Sequence, residues 1–168
     1  MEMKTSQQQV VGKRRRRYRS IWDISRDESM ALLRELFARY GPEPFDREEL
    51  LATMRDFYRL GALGKQIRKE LSGDIRAAVL RGILDNTGGR FSLLCRHIGQ
   101  YDRDLIREQF LAAIGWGWID RDDAIRQAVR YLGFRRTGSV IRQAFRSAIN
   151  SAFRCGELKR DGGMVRRP

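Results

Sequence analysis

The side chains of this chain that could do chemistry are mostly cations. Among 168 residues there are 34 Lys and Arg against 21 Asp and Glu, with one His and two Cys, giving a formal charge of +13. Ser139, Arg142, Gln143, Arg146 and Asn150 fall off the apolar stripe of one helical stretch, and Arg, Gln and Asn are the side chains whose geometry matches base edges. These are the base-reading candidates. Arg135 and Arg136 before that stretch, and Lys159, Arg160, Arg166 and Arg167 after it, are placed for phosphate contacts. A weaker set lies earlier, in Lys65, Gln66, Lys69 and Arg76, diluted by Glu70 and Asp74. Lys13, Arg14, Arg15, Arg16, Arg17 and Arg19 form a basic arm suited to a minor groove or a run of phosphates. The plainer alternative for the arm is a solvated tail or a localisation signal. Six phosphate contacts from it would steepen the log-affinity against log-salt slope on duplex DNA by about five units.

Chemistry other than binding is poorly supplied. No carboxylates cluster with His or Ser in a catalytic pattern, and Cys95 and Cys155 have no second Cys or His at metal-ligand spacing. The expectation is no enzymatic activity, no metal and no cofactor, with two reduced thiols in a cytoplasmic, nucleoid-associated protein. His97 alone reads as structural. No run of 18 apolar residues and no apolar leader occur, so no membrane partner is expected. Ile21, Trp22 and Ile24 are expected to anchor the arm, and Trp116 and Trp118 of "GWGW" to pack under the fold as aromatic filler.

The elements that must position these residues are written twice. Sliding the sequence by 74 positions gives a gap-free match of roughly residues 28–91 onto 102–165, pairing Gly41/Gly115, Asp46/Asp120, Gly64/Gly138, Ile67/Ile141, Arg68/Arg142, Gly82/Gly156 and Gly88/Gly162. In each copy, apolar residues at helical spacing predict three helices. The first carries Leu32, Leu33, Leu36 and Phe37 and ends at Gly41. The second starts at an Asp46–Glu49 capping box and stops near Gly61. The third opens at Gly64, carries Ile67, Leu71, Ile75 and Ala78, and ends at Gly82. A Gly-Gly turn between short strands follows in both copies, a hairpin signal.

Three helices and a hairpin are the order of a winged helix, whose third helix enters the major groove while the hairpin touches flanking backbone. The predicted class is mainly α with small β-hairpin wings, as two tandem winged-helix (helix-turn-helix) domains. Residues 1–25 form the basic arm, 26–96 the first repeat and 97–168 the second. Charge placement agrees with this polarity: residues 26–60 hold six basic and eight acidic side chains, whereas 135–168 hold nine and two. The alternative for the matched pair Arg68/Arg142 is that each bonds an acidic residue of its own second helix.

The stretch 132–168, with Phe134, Arg136, Thr137, Gly138, Ile141 and Arg142 opening the third helix, resembles the winged-helix domain at the C-terminal end of some bacterial superfamily-one helicase-like and restriction-nuclease-like proteins. The first repeat is a degenerate version, with Leu63 in place of Thr137, and neither a Walker motif nor a nuclease constellation is present. The resemblance implies a DNA-associated module and no helicase or nuclease activity. The expected function is duplex DNA binding, as a monomer or homodimer, led by the second repeat and the arm. Two alternatives stand beside it. One is an adaptor whose paired winged helices bind a protein of a DNA-processing complex, helicase, nuclease or condensin-like. The other is RNA binding through the same basic face.

Overall fold

The computed structural model describes residues 19–168. The arm from Lys13 to Arg17 lies outside the described residues. A 3-10 turn at Ile21–Asp23 leads into α1 (Arg26–Tyr40), β1 (Phe45–Asp46), α2 (Arg47–Tyr58), α3 (Lys65–Leu80), β2 (Leu84–Thr87) and β3 (Arg90–Leu93). After a second 3-10 turn at Ile98–Gln100 the order repeats as α4 (Arg103–Ile114), β4 (Ile119–Asp120), α5 (Arg121–Tyr131), α6 (Ser139–Arg154), β5 (Lys159–Asp161) and β6 (Met164–Arg166). The molecule is mainly helical with two small antiparallel sheets, ordered β1-β3-β2 and β4-β6-β5. No described helix is long and apolar enough to cross a membrane.

The 74-residue offset holds down to strand register. Phe45 faces Phe91 as Ile119 faces Val165, and Asn86 faces Phe91 as Arg160 faces Val165. The helix starts repeat as well. Asp46 caps α2 through the predicted box with Glu49, and the Asp120 carboxylate accepts from the backbone N–H groups of Asp122 and Asp123. Two features depart from the sequence reading. The α2 helix ends at Tyr58, three residues before Gly61, because Arg59 takes a left-handed conformation at φ +54°. Each hairpin also gains a third strand, β1 or β4, two residues long and without a periodic signal of its own.

One apolar cluster runs through both copies, so they share a core. Within the first copy a polar network enters it. Ser29 of α1 donates to Asp74 of α3 at 2.6 Å, Tyr58 of α2 donates to Ser29, and Arg26 pairs with Asp74 at 3.2 Å. Burial pushes the Asp74 carboxyl and the Tyr58 phenol above their ordinary ranges. The positions 74 further on are Arg103, Leu132 and Ala148, so the second copy packs the same junction without that network.

Between the copies, α1 lies on α5. Arg34 is buried there with neutral acceptors: it donates to the Leu132 carbonyl, to the Cys95 carbonyl at 2.9 Å and to the Tyr101 hydroxyl, while its guanidinium lies 4.0 Å from the Phe134 ring centroid. Burial lowers its pKa from the ordinary arginine value. Arg81 spans the same junction, donating to Asp27 at 2.8 Å and to the Tyr131 carbonyl at 3.0 Å.

Candidate nucleic-acid interface

The α6 helix sorts its residues by period. Phe145, Ala148, Ile149 and Ala152 are buried, and Ser139, Gln143, Arg146, Asn150 and Arg154 are exposed on the other side. The predicted readers Ser139, Gln143, Arg146 and Asn150 therefore share a solvent-facing side, and Arg154, which the sequence reading left out, extends it by one turn. Arg146 and Arg154 have no carboxylate partner among the described residues. Near the C-terminal end of α6 a groove of about 700 Å³ separates the helix from the hairpin, lined by Ser147, Asn150, Phe153, Arg154, Leu158 and Arg160. It contains two cations and no anion. Lys159, on the same strand as Arg160, is exposed.

Arg121 was missed as well. Its backbone N–H donates to the Gly163 carbonyl at 3.0 Å and its guanidinium to the Asn150 side-chain carbonyl at 3.1 Å, joining the start of α5 to the hairpin and to α6. A helix-start arginine carries no sequence signal for a partner 29 residues away. Arg142 has the position of its counterpart: it pairs with Asp122 at 3.8 Å, as Arg68 pairs with Glu48 at 2.5 Å, and Glu48 and Asp122 are themselves 74 apart. The alternative given for this pair is what the structure shows, an ion pair to each copy's own second helix. The Glu48 carboxylate beside the Arg68 guanidinium raises its pKa.

The remaining candidates are dispersed. Arg136 is exposed before α6, and Arg135 pairs with Glu35 of α1 at 2.6 Å, in a cleft of about 660 Å³ between the copies that Arg34, Arg96, His97 and Phe134 also line. Arg19 pairs with Glu28. Arg166 and Arg167 do not join the groove. Their guanidinium carbons lie 4.7 Å and 4.0 Å from the ring centroids of Trp118 and Trp116. Those tryptophans are 43% and 68% exposed, so the expected packing of "GWGW" is wrong. Of the predicted anchors, Ile21 and Ile24 pack against the core, but Trp22 is 69% exposed.

In the first copy Lys65, Gln66, Lys69 and Arg76 are exposed along α3, with Gln66 donating to Glu70 at 2.9 Å. The two groove cations are not repeated in place: Leu80 stands for Arg154 and Asn86 for Arg160, and beside the groove Asp85 stands for Lys159. The corresponding first-copy pocket, of about 180 Å³, draws its cations from Arg47 and Arg76. Leu80 is 75% exposed. Burial pushes the Cys95 thiol up, away from a nucleophile's range, and its sulfur lies 3.4 Å from the Gln100 carbonyl.

No protein-family model matches the chain, and no curated protein or solved structure does. The candidate interface stands on its own geometry, an exposed polar helix face continued by a cationic groove.

Proposed function

We propose that this protein binds duplex DNA as two tandem winged helices, with α6 of the second copy in the major groove and the β5–β6 hairpin against flanking phosphates. The observation that carries the reading is the concentration of cations without carboxylate partners among the described residues, Arg146, Arg154, Lys159 and Arg160, on one helix and the hairpin beside it. Gln143 on the same helix side supplies an amide suited to adenine, and Asn150, its carbonyl oxygen held by Arg121, keeps its NH2 group as a donor. Arg142, held by Asp122, belongs to the scaffold in this reading, and the arm adds phosphate contacts. The element order and sheet order, repeated at one offset, support two modules of the same kind.

A second reading draws on a different feature. Exposed Leu80, where the second copy has Arg154, suits contact between the first copy and a protein partner, as an adaptor would use. The test compares affinities for blunt duplex, single strands and structured RNA at one salt concentration. Arg146→Ala with Arg154→Ala should weaken duplex binding about 100-fold, since a charged hydrogen bond, to a base edge or to a phosphate, contributes about 1.5–3 kcal/mol. Arg142→Ala should weaken it less than threefold. Unchanged duplex binding in the double variant would refute the assignment, and a preference for structured RNA would transfer the same face to RNA.

A further inference from the structure

The exposed aromatic pair beside the hairpin is left unused by duplex binding through α6. Trp116 and Trp118 precede β4, the edge strand of the sheet β4-β6-β5, and Arg166 and Arg167 at the end of β6 cover them. The first copy shows that the fold does not need this arrangement. The positions 74 earlier are Pro42 and Pro44 for the tryptophans and Ser92 and Leu93 for the arginines, yet the first copy forms the same strand pairing after the same turn. All four substitutions occur in the copy that carries the cationic groove. Two large rings held at a surface, in a position that two prolines also satisfy, are not core filler.

We infer that Trp116 and Trp118, with Arg166 and Arg167, form a stacking platform for the bases of a single-stranded segment leaving the duplex. Guanidinium groups against both rings, in a hairpin already rich in cations, select a ligand with flat π faces and a negatively charged backbone. Nucleic acid has both, and every base offers a face to an indole. Of the acidic groups nearby, Asp104 and Glu157 pair with Arg107 at 3.2 Å and 3.1 Å, while Glu108 and, on the sheet itself, Asp120 and Asp161 have no ion pair among the described residues. The strands β4 and β5 stand about 10 Å apart across the sheet, with Arg160 opposite buried Val165 on the α6 side and Lys159 opposite Arg166 on the other face. A strand leaving the α6 groove therefore reaches the rings by passing over the β5 edge and along Lys159 and Arg166. The preferred substrate is then a duplex with a single-stranded tail. This rests on the duplex-binding reading above.

The test measures full-length protein binding to a blunt duplex and to the same duplex with 5′ or 3′ tails of about six nucleotides, within the site sizes of single-strand grooves. Trp22→Phe serves as background, so that Trp116 and Trp118 alone report by fluorescence. One tail polarity should tighten binding about tenfold and quench the tryptophans. Trp116→Ala with Trp118→Ala should abolish that gain and leave blunt-duplex affinity within twofold, with an unchanged thermal melt confirming the fold. A tail that adds nothing, or a gain that survives the double variant, overturns the platform. So does a double variant that keeps every DNA affinity and loses self-association, which would make the pair a protein contact. Failure of blunt-duplex binding with quenching by single strands retained would sink the duplex reading and keep the platform.

Discussion

Arg34 is a buried cation whose hydrogen-bond partners are neutral, so its environment must replace its hydration without a counter-charge. Two backbone carbonyls, a phenol and the Phe134 ring replace the water it gave up. Arg34→Met fills part of the volume but leaves those acceptors buried without a donor. A loss of about 3 kcal/mol is expected, lowering Tm by roughly 6–12 °C for a chain this size. A Tm within 2 °C of wild type would show that the buried guanidinium contributes no net stability. At this scale the sequence was readable where helical period alone decides exposure, as for Gln143, Arg146 and Asn150. It was not readable where a partner comes from elsewhere in the fold, as for Arg121 with Asn150, Arg135 with Glu35, or Arg166 and Arg167 against the tryptophans. Aromatic residues beside glycines look like core filler until the surrounding strands show them outside it.

Elements were more legible than contacts, because each is signalled by its own residues. The α3 and α6 helices begin after Gly64 and Gly138 at the same offset, and the glycine turns mark both hairpins. The strands β1 and β4 escaped because two residues cannot display an alternation; only pairing with β3 and β6 defines them. Packing between the copies turns on the segment after α5. Gly133 sits at φ +75°, and a Cβ there would lie 2.6 Å from the Met30 carbonyl oxygen on α1. Gly115 sits at φ +66° with nothing within 4 Å of an added Cβ. Gly115, at ψ −152°, lies in a region essentially reserved for glycine, so Gly115→Ala should cost about 2 kcal/mol, the backbone penalty alone. Gly133→Ala should cost about 4 kcal/mol or more, since α1 must move away from α5 as well. Urea unfolding of both variants checks this, and equal losses would mean that the contact between copies does not constrain Gly133.

Over the whole molecule, the +13 charge is distributed by element. The segments 26–60 and 100–134 are slightly acidic, with six basic against eight acidic side chains and five against six. Several of their carboxylates are paired, within the segment as in Arg126–Asp123 or to the copy's third helix as in Arg68–Glu48 and Arg142–Asp122. The excess collects on the third helix and hairpin of both copies, nine basic against two acidic side chains in 135–168 and seven against three in 61–99, and on the arm. Such a distribution predicts a salt dependence with a defined source, since each phosphate neutralised contributes about 0.9 to the slope of log affinity against log salt on duplex DNA. The deciding measurement is that slope for the full chain and for the Arg146→Ala, Arg154→Ala, Arg160→Ala triple variant. Two lost phosphate contacts, from Arg154 and Arg160, should flatten it by about 1.8 units, and loss of the base contact from Arg146 should weaken binding further. A triple variant whose slope and affinity match those of the full chain would contradict DNA binding through α6 and its hairpin.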